Sequence, residues 1–453
     1  MHIGMFESFV TQHWFSREAK AIWSDVATLQ TWLDVEVALA NAQAELGLIP
    51  VDDANRIEAK ADASLFDLER LSRDIAFAQH PFVPVLHQFE ALCGEPAAGF
   101  IHWGATTQNI FDTASSLQMS KTHTLLMGYL DTAINSLCDL ATEHKYTVQA
   151  GRTHGQHALP MTFGFKVAGW IDELDRDRRR LAERCTGSFV ASMGGAIGTY
   201  AACGPLGRAV ETGMAKRLGL EPAGMAMRSS FDRVNDYVSA LGLLMGTVEK
   251  MAQDVVFMQR SEIGEVSEAF HLGKVGSSTM AQKRNPAKAL LLTSLTRLLR
   301  ARIPAMLAGM VRMDEGDSSA TNLCDALLAD IGIIGASVAE TLAEFSQGLV
   351  VHSDAMLRNL NLSNGLIGSE ALMMRLAPSM GRHEAHQLLY GAAQRSQSEG
   401  IPYIAAIEQH PLLPRHQMPE KWAEALMPEN YIGASADLVD DVIERVGRKN
   451  VRG

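Results

Sequence analysis

The chain has 453 residues, a formal net charge of -12 and 47% hydrophobic residues. A chain of this length exceeds what one hydrophobic core usually serves, so two or three domains are expected. The negative charge argues against a nucleic-acid or anionic-membrane surface, and a small anionic substrate would need a locally positive pocket. The five scattered cysteines lack CxxC or Cys/His spacing, which predicts free buried thiols in a reducing compartment and no structural zinc.

The sequence shows no targeting or membrane segment. The N-terminus lacks a basic segment followed by an apolar one, so no signal peptide is expected. The longest apolar candidate, residues 287–311, is a poor membrane span because it contains basic side chains. These are Lys288, Arg297, Arg300 and Arg302. We therefore expect a cytoplasmic protein without a nucleic-acid or membrane partner.

Residues 1–108 are predicted to form a helical N-terminal region. One helix face is marked by apolar residues at helical spacing, Leu29, Leu33, Val37, Ala40 and Ala44, and this helix is predicted to end at Gly47. Further along, His80 stands beside Pro81 and Pro84, which favour an extended or kinked path. Taken alone, His80 is typical of an ordinary loop histidine.

Small and hydroxylated residues precede a long helix predicted over residues 113–145. Among them are Thr106 and Thr107. Hydroxyls and free backbone amides at the start of a helix form a natural binding site for a carboxylate. Simple capping of the helix is the alternative interpretation.

The segment from Gly151 to Gly164 places His154, Gln156 and His157 close together. Two histidines at this spacing, with no further carboxylate or cysteine ligand nearby, do not predict a metal site. We expect no metal here.

A glycine-rich segment follows, with Gly194, Gly195 and Gly198. It lacks the preceding strand and the following acidic residue of a dinucleotide-binding fingerprint. Tight packing of the backbone is therefore the favoured interpretation.

A polar, turn-rich loop at residues 276–286 separates two predicted helices, at residues 234–256 and from residue 290 to 299. The loop contains adjacent hydroxyls at Ser277 and Ser278, a cation at Lys283 and an amide at Asn285. These side chains supply a possible nucleophile or base and two groups that can bind an anion. The alternative is an ordinary solvated connection between helices.

Three blocks of this chain carry a resemblance to a known superfamily. The loop from Gly276 to Pro286 resembles the signature Gly-Ser-Ser-x-Met-Pro-x-Lys-x-Asn-Pro of the fumarase/aspartase superfamily, with Ala281 in place of proline. Residues 104–113 and 153–164 resemble two further blocks of the same superfamily. The opening at residues 14–36 is similar to that of 3-carboxy-cis,cis-muconate cycloisomerases and, more loosely, of adenylosuccinate lyases.

The resemblance implies an all-α fold with three helical domains. These would be an N-terminal domain at residues 1–108, a long central helical bundle at residues 109–354 and a small C-terminal domain at residues 355–453. It also implies a homotetramer in which each active site draws on three subunits. No cofactor is implied.

The resemblance also implies roles for individual residues. Ser277 matches the catalytic base and His154 the acid-base histidine. The implied substrate-binding residues are His80, Thr106, Thr107, Thr153, Gln156, Lys283 and Asn285. His157 has no implied role in the family and is interpreted as structural.

These matches predict a carbon-nitrogen lyase that performs β-elimination on an N-substituted succinate and releases fumarate. The substrate would be a small molecule with two carboxylates. A nucleotide is disfavoured because His13, Gly316 and Asn322 stand where adenylosuccinate lyases have residues that bind it. The alternatives are a lactonising 3-carboxy-cis,cis-muconate cycloisomerase and a catalytically silent helical scaffold.

Overall fold

The computed structural model describes residues 4–270, 278–412 and 422–447. Ser277, the predicted base, lies outside the described residues. So does Gly276, which precedes it in the signature loop.

The described chain is mainly helical, as predicted. The N-terminal helices are α1 (Arg17–Ile22), α2 (Asp25–Glu45), α3 (Val51–Lys60), α4 (Leu68–Ala78) and α5 (Val83–Cys93). The long helices are α6 (Thr107–Glu143), α7 (Phe163–Ser188), α9 (Asp232–Met258) and α12 (Ser318–Gln347), accompanied by α8 (Gly207–Leu218), α10 (Ala287–Arg300) and α11 (Ile303–Ala308). The C-terminal helices are α13 (Ser353–Leu360), α14 (Ser369–Met380), α15 (Arg382–Glu399), α16 (Tyr403–Glu408) and α17 (Ser435–Val446).

Among the described residues, three small two-stranded sheets accompany the helices. In chain order the strands are β1 (Val148–Thr153), β2 (Gln156–Thr162), β3 (Val190–Ala191), β4 (Glu221–Pro222), β5 (Val266–Glu268) and β6 (Leu349–Val351). Strands β1 and β2 form an antiparallel hairpin, β5 and β6 are also antiparallel, and β3 and β4 are parallel.

The chain divides into two compact units, each built from three chain segments. Unit 1 comprises residues 1–130, 176–249 and 292–341. Its core includes the fully buried side chains Leu33, Leu39, Ile57, Phe82 and Phe89. The predicted helix ending at Gly47 is confirmed as α2, whose termination is followed by a positive φ of 72° at that glycine.

Unit 2 comprises residues 131–175, 250–291 and 342–453. Among the buried residues of its C-terminal part, α14, α15 and α16 pack around Leu372, Leu388 and Tyr403. The division into three domains that the sequence suggests stays a prediction.

Helix α6 begins six residues earlier than predicted, at Thr107 rather than residue 113. The prediction treated the polar residues of this segment as loop. In the structure, buried Ile110 and Ala114 anchor the first turns, and the side chain of Asn109 satisfies the amide of Thr106. Pro84 likewise lies inside the first turn of α5, where its missing N–H is not needed, so the predicted extended path ends at Phe82.

Helix α12 is long and apolar enough to cross a membrane by length and composition, but 67% of its most apolar window is buried within the protein. A core helix has the same composition. The sequence therefore contains a second apolar stretch of membrane-spanning length beside residues 287–311, the candidate named above.

Two smaller predictions are confirmed. All five cysteines are free, and Cys93, Cys138, Cys203 and Cys324 are buried as predicted, whereas Cys185 is only half-buried. In the glycine-rich segment, a Cβ on Gly194 or Gly198 would approach atoms of Ala226 to 2.6 or 2.5 Å, so the backbone packs as tightly as predicted.

Candidate active site

The candidate acid, His154, lies in the two-residue turn of the β1–β2 hairpin. Thr153 pairs with Gln156 across the turn, and both His154 and Gly155 have positive φ, at 52° and 76°. Positive φ at both turn residues is typical of a type I′ turn, whose twist matches that of the flanking strands. Thr153, His154 and Gln156 are all exposed, so the hairpin presents these three side chains to solvent at its tip.

A buried ion pair fixes the strand that leads to His154. Arg152 donates to the two carboxylate oxygens of Glu265, at 2.9 and 2.5 Å, and the Glu265 side chain has no solvent exposure. Asn359 donates to the same carboxylate at 2.9 Å. Bidentate contact with a guanidinium restricts both distance and orientation, so β1 is held rigidly one residue before the predicted substrate-binding Thr153.

A second carboxylate, that of Glu268, binds the backbone just after the signature loop. Glu268 ends β5, and its two oxygens accept the backbone amides of Lys288 (3.1 Å) and Ala289 (2.8 Å) in the first turn of α10. Gln259 accepts from the amide of Glu268 at 3.0 Å and donates to the carbonyl of Arg284 at 3.2 Å. A carboxylate at a helix N-terminus is favourable, and here it joins residue 268 to residues 288 and 289, which lie on opposite sides of the signature loop in the chain.

The described part of the loop contains Lys283 and Asn285. The side chain of Lys283 is exposed, and its amide donates to the carbonyl of Met280 at 3.1 Å. Asn285 is half-buried, and its carbonyl accepts the amide of Ala287 at 2.9 Å. The loop residues thus form local turns that lead directly into α10.

The predicted carboxylate-binding residues of unit 1 lie at the start of α6. Thr106 immediately precedes the helix, Thr107 is its first residue, and both are half-buried. The side-chain oxygen of buried Asn109 accepts the amides of Thr106 (3.1 Å) and Gly195 (3.2 Å). The Asn109 amide thus caps these two backbone donors without adding a charge.

His80 stabilises the start of α5. Its Nδ1 accepts the amides of Phe82 (3.2 Å) and Val83 (3.1 Å). An accepting nitrogen carries no hydrogen, so neutral His80 has its proton on Nε2. The ring of Phe82 packs against His102 and Phe111, with centroids 5.4 and 5.6 Å apart, and this packing holds the His80 turn beside the segment that precedes α6.

Unit 1 also contains two titrating carboxylates that the sequence analysis did not assign. Asp112 and Asp325 line a cavity of about 80 Å³ together with serine hydroxyls. Burial raises the pKa of Asp112 to about 6, against the opposing effects of the Gln108 hydrogen bond and the charge of Arg312. Asp325 is open to solvent at the cavity, yet desolvation by the surrounding protein raises its pKa to about 6 as well.

Two arginines lie near these carboxylates. Arg312 stacks on the ring of Phe231 at 4.2 Å and donates to the carbonyl of Arg228 at 3.1 Å. Arg228 donates to the carbonyl of Ala196 at 2.6 Å. The sequence did contain a signal for this region, because Asp112 lies in the motif block around Thr106. The contacts of Arg228, Arg312 and Glu265 join residues far apart in sequence, and no local pattern indicates them.

Within the part of the chain that the structure describes, no cluster of three or more His, Cys, Asp or Glu side chains is arranged to hold a metal ion.

Comparisons with known proteins identify the family. Residues 15–298 match the family model described as lyase, and residues 365–442 match that of the adenylosuccinate lyase C-terminus. The chain is 35% identical to N-acetyl-S-(2-succino)cysteine lyase of Dickeya dadantii over 94% of each chain. It is 34% identical to adenylosuccinate lyase of Methanocaldococcus jannaschii, over 95% of this chain and 94% of that protein.

Solved structures of related enzymes have the same fold. The 3-carboxy-cis,cis-muconate lactonizing enzyme from Pseudomonas putida superposes with a TM-score of 0.89 at 30% identity, covering 96% of this chain and 98% of that one. The helical fold and the motif blocks thus define a lyase. The chain belongs to this lyase family, the fumarase/aspartase superfamily, and the predictions of the superfamily and of a fumarate-releasing lyase are confirmed.

Proposed function

We propose that the protein eliminates a nitrogen- or sulfur-linked substituent from a succinyl group and releases fumarate. The observation that carries this proposal is the similarity, over more than nine-tenths of the chain, to two lyases whose names share a succinyl group and differ in the atom that bears it. The sequence analysis predicted only a nitrogen-linked substituent. The sulfur-containing name extends the class of leaving group.

The substrate carboxylates would be bound by the start of α6 and by the signature loop. Thr106 and Thr107 offer hydroxyls at a helix N-terminus, where anions are stabilised. Lys283 and Asn285 offer a cation and an amide donor. Removal of a proton beside a carboxylate builds negative charge on that carboxylate, and fixed donors of this kind stabilise it. His80, Thr153 and Gln156 complete the proposed set of substrate contacts.

The proton transfers would use Ser277 as the base and His154 as the acid. A serine hydroxyl acts as a base only where its anion is stabilised by nearby amides and a cation in a site that excludes water. The hydrogen bonds from the amides of Lys288 and Ala289 to Glu268 support such a loop. They hold together the two positions of the chain between which Ser277 lies. His154 would donate a proton to the leaving nitrogen or sulfur.

We further propose a cytoplasmic homotetramer whose active sites draw on three subunits and need no cofactor. The exposure of Thr153, His154 and Gln156 at the hairpin tip supports shared sites, because acid-base chemistry needs a surface that excludes water from these side chains. The free cysteines support a reducing compartment.

Fumarate release tests the proposal. Purified protein is mixed with N-acetyl-S-(2-succino)cysteine or adenylosuccinate, and fumarate is followed by its absorbance. We expect release from at least one of them, and we expect Ser277→Ala to reduce kcat by at least about 100-fold, the usual effect of losing a general base. Ser278→Ala is the matched control and should retain most activity.

The outcomes separate reaction from residue assignment. If Ser278→Ala abolishes release and Ser277→Ala does not, the base is misassigned but the reaction stands. If neither compound releases fumarate and 3-carboxy-cis,cis-muconate is converted to a lactone, the protein is a cycloisomerase. The similarity to the Pseudomonas putida lactonizing enzyme favours that second candidate.

A further inference from the structure

We propose that Arg228 determines specificity by binding a carboxylate on the leaving group, the part of the substrate that departs from the succinyl carbon. This inference rests on the proposed function. It names the chemistry that Arg228 would recognise, namely an acidic leaving group such as a thiol-bearing amino acid.

A continuous set of contacts links Arg228 to the proposed carboxylate-binding end of α6. The Nη1 of Arg228 donates to the carbonyl of Ala196 at 2.6 Å. The adjacent Gly195 amide binds the side chain of Asn109, and the same oxygen accepts the amide of Thr106. These contacts connect the Arg228 guanidinium, through the backbone of Gly195 and Ala196, to Thr106, which is proposed to bind the succinyl part of the substrate.

The guanidinium of Arg228 has no carboxylate in direct contact among the residues that the structure describes. Among the described residues, no carboxylate lies within 4.0 Å of it, and its Nε is buried without a hydrogen-bond partner. A buried donor without a partner is unfavourable. The Nε and Nη2 hydrogens form the edge of a guanidinium that fits both oxygens of one carboxylate, and a ligand carboxylate would satisfy this edge.

Arg312 adds a second positive charge at the same place. It also has no ion pair among the described residues, and its contact with the Arg228 carbonyl places the two arginines side by side. Both charges act on the carboxyl of Asp112. Two half-buried guanidinium groups without carboxylate partners at contact distance favour an anionic ligand.

Because Gly316 has no side chain, the guanidinium of Arg228 can lie against its backbone. A Cβ added to Gly316 would lie 3.2 Å from the guanidinium carbon of Arg228. Any side chain at position 316 would therefore crowd this guanidinium, and a larger one would displace it. The positive charge at this place therefore comes from Arg228, in the segment before α9, and depends on the missing side chain at position 316.

The test uses two thioethers that differ only in the leaving-group carboxylate, S-(2-succino)cysteine and S-(2-succino)cysteamine. Fumarate release gives kcat/KM for each. We expect the wild-type protein to prefer the cysteine compound by about 10- to 100-fold, the effect of one hydrogen bond to a charged group. Arg228→Gln should remove this preference by lowering kcat/KM for the cysteine compound alone, and Arg228→Lys should restore part of it.

Arg233→Gln is the matched control. Arg233 lies five residues further along and donates to the carbonyls of Gly187 and Ala223, so its replacement should leave the ratio of the two substrates unchanged.

Three outcomes would overturn the inference. Equal kcat/KM for both thioethers in the wild-type protein would show that no leaving-group carboxylate is recognised. Equal loss on both substrates in Arg228→Gln would assign Arg228 a structural role. Fumarate release from adenylosuccinate but from neither thioether would overturn the carboxylate assignment while the proposed function stands. If no compound releases fumarate, the proposed function fails as well.

Discussion

At the scale of single residues, Asp112 is a carboxyl group whose surroundings disfavour its charged form. Burial raises its pKa from 3.8 to about 6 in the folded chain. The folded chain therefore binds this proton more tightly than the unfolded chain does. As a consequence, the folded state loses stability as the pH rises from about 4 to about 6, and the loss is complete above that range.

We predict that Asp112→Asn raises the free energy of unfolding at pH 7.5 by up to about 3 kcal/mol, the equivalent of the pKa shift. Asp112 is half-buried, and asparagine keeps the oxygen that accepts from Gln108 while it removes the charge that desolvation disfavours. Near pH 4 the substitution should have little effect, because the carboxyl is then protonated in the folded chain. Urea unfolding at both pH values measures the difference.

Asp325→Asn serves as the comparison. It should raise the free energy of unfolding by less, because Asp325 is open to solvent. An effect of Asp112→Asn that is the same at pH 4 and pH 7.5 would contradict the assignment of a buried, titrating carboxyl.

At the scale of elements, the β1–β2 hairpin shows what the sequence could and could not indicate. The motif block around His154 predicted site residues, but it did not indicate strands, since His-Gly is a weak hairpin-turn signal and Pro160 interrupts β2. The Arg152–Glu265 ion pair joins residues 113 positions apart. Such a pair is decided by tertiary packing, which local periodicity does not contain.

We predict that Arg152→Met destabilises the protein by about 3–5 kcal/mol, because the Glu265 carboxylate is left buried without its cation. The double variant Arg152→Met with Glu265→Leu should recover much of this loss, since neither charge remains. The free energy of unfolding in urea measures both. Hydrogen exchange at the amides of Thr153 and Gln156 should accelerate in the single variant.

The matched control is the more exposed pair of Lys250 and Glu173 in the same unit. Lys250→Met should cost less than about 1 kcal/mol, as surface ion pairs do. A loss in Arg152→Met no larger than in Lys250→Met would contradict a structural role for the buried pair.

At the scale of the whole molecule, the sequence indicated the fold class and the family through helical periodicity and three motif blocks. It could not indicate how the proposed site residues meet, because they belong to different segments and, by our proposal, to different subunits. The exposed His154 is informative here. If His154 is the acid, its exposure within one chain favours a site that only assembly completes.

Complementation between two inactive variants tests this account most directly. His154→Gln and Ser277→Ala are each expected to lose nearly all fumarate release, while light scattering shows both to be tetramers. If His154 and Ser277 of one site come from different subunits, co-refolding equal amounts should restore about one quarter of wild-type activity, since about one site in four receives both intact residues. Mixed tetramers that remain inactive beside a fully active wild-type protein would contradict it.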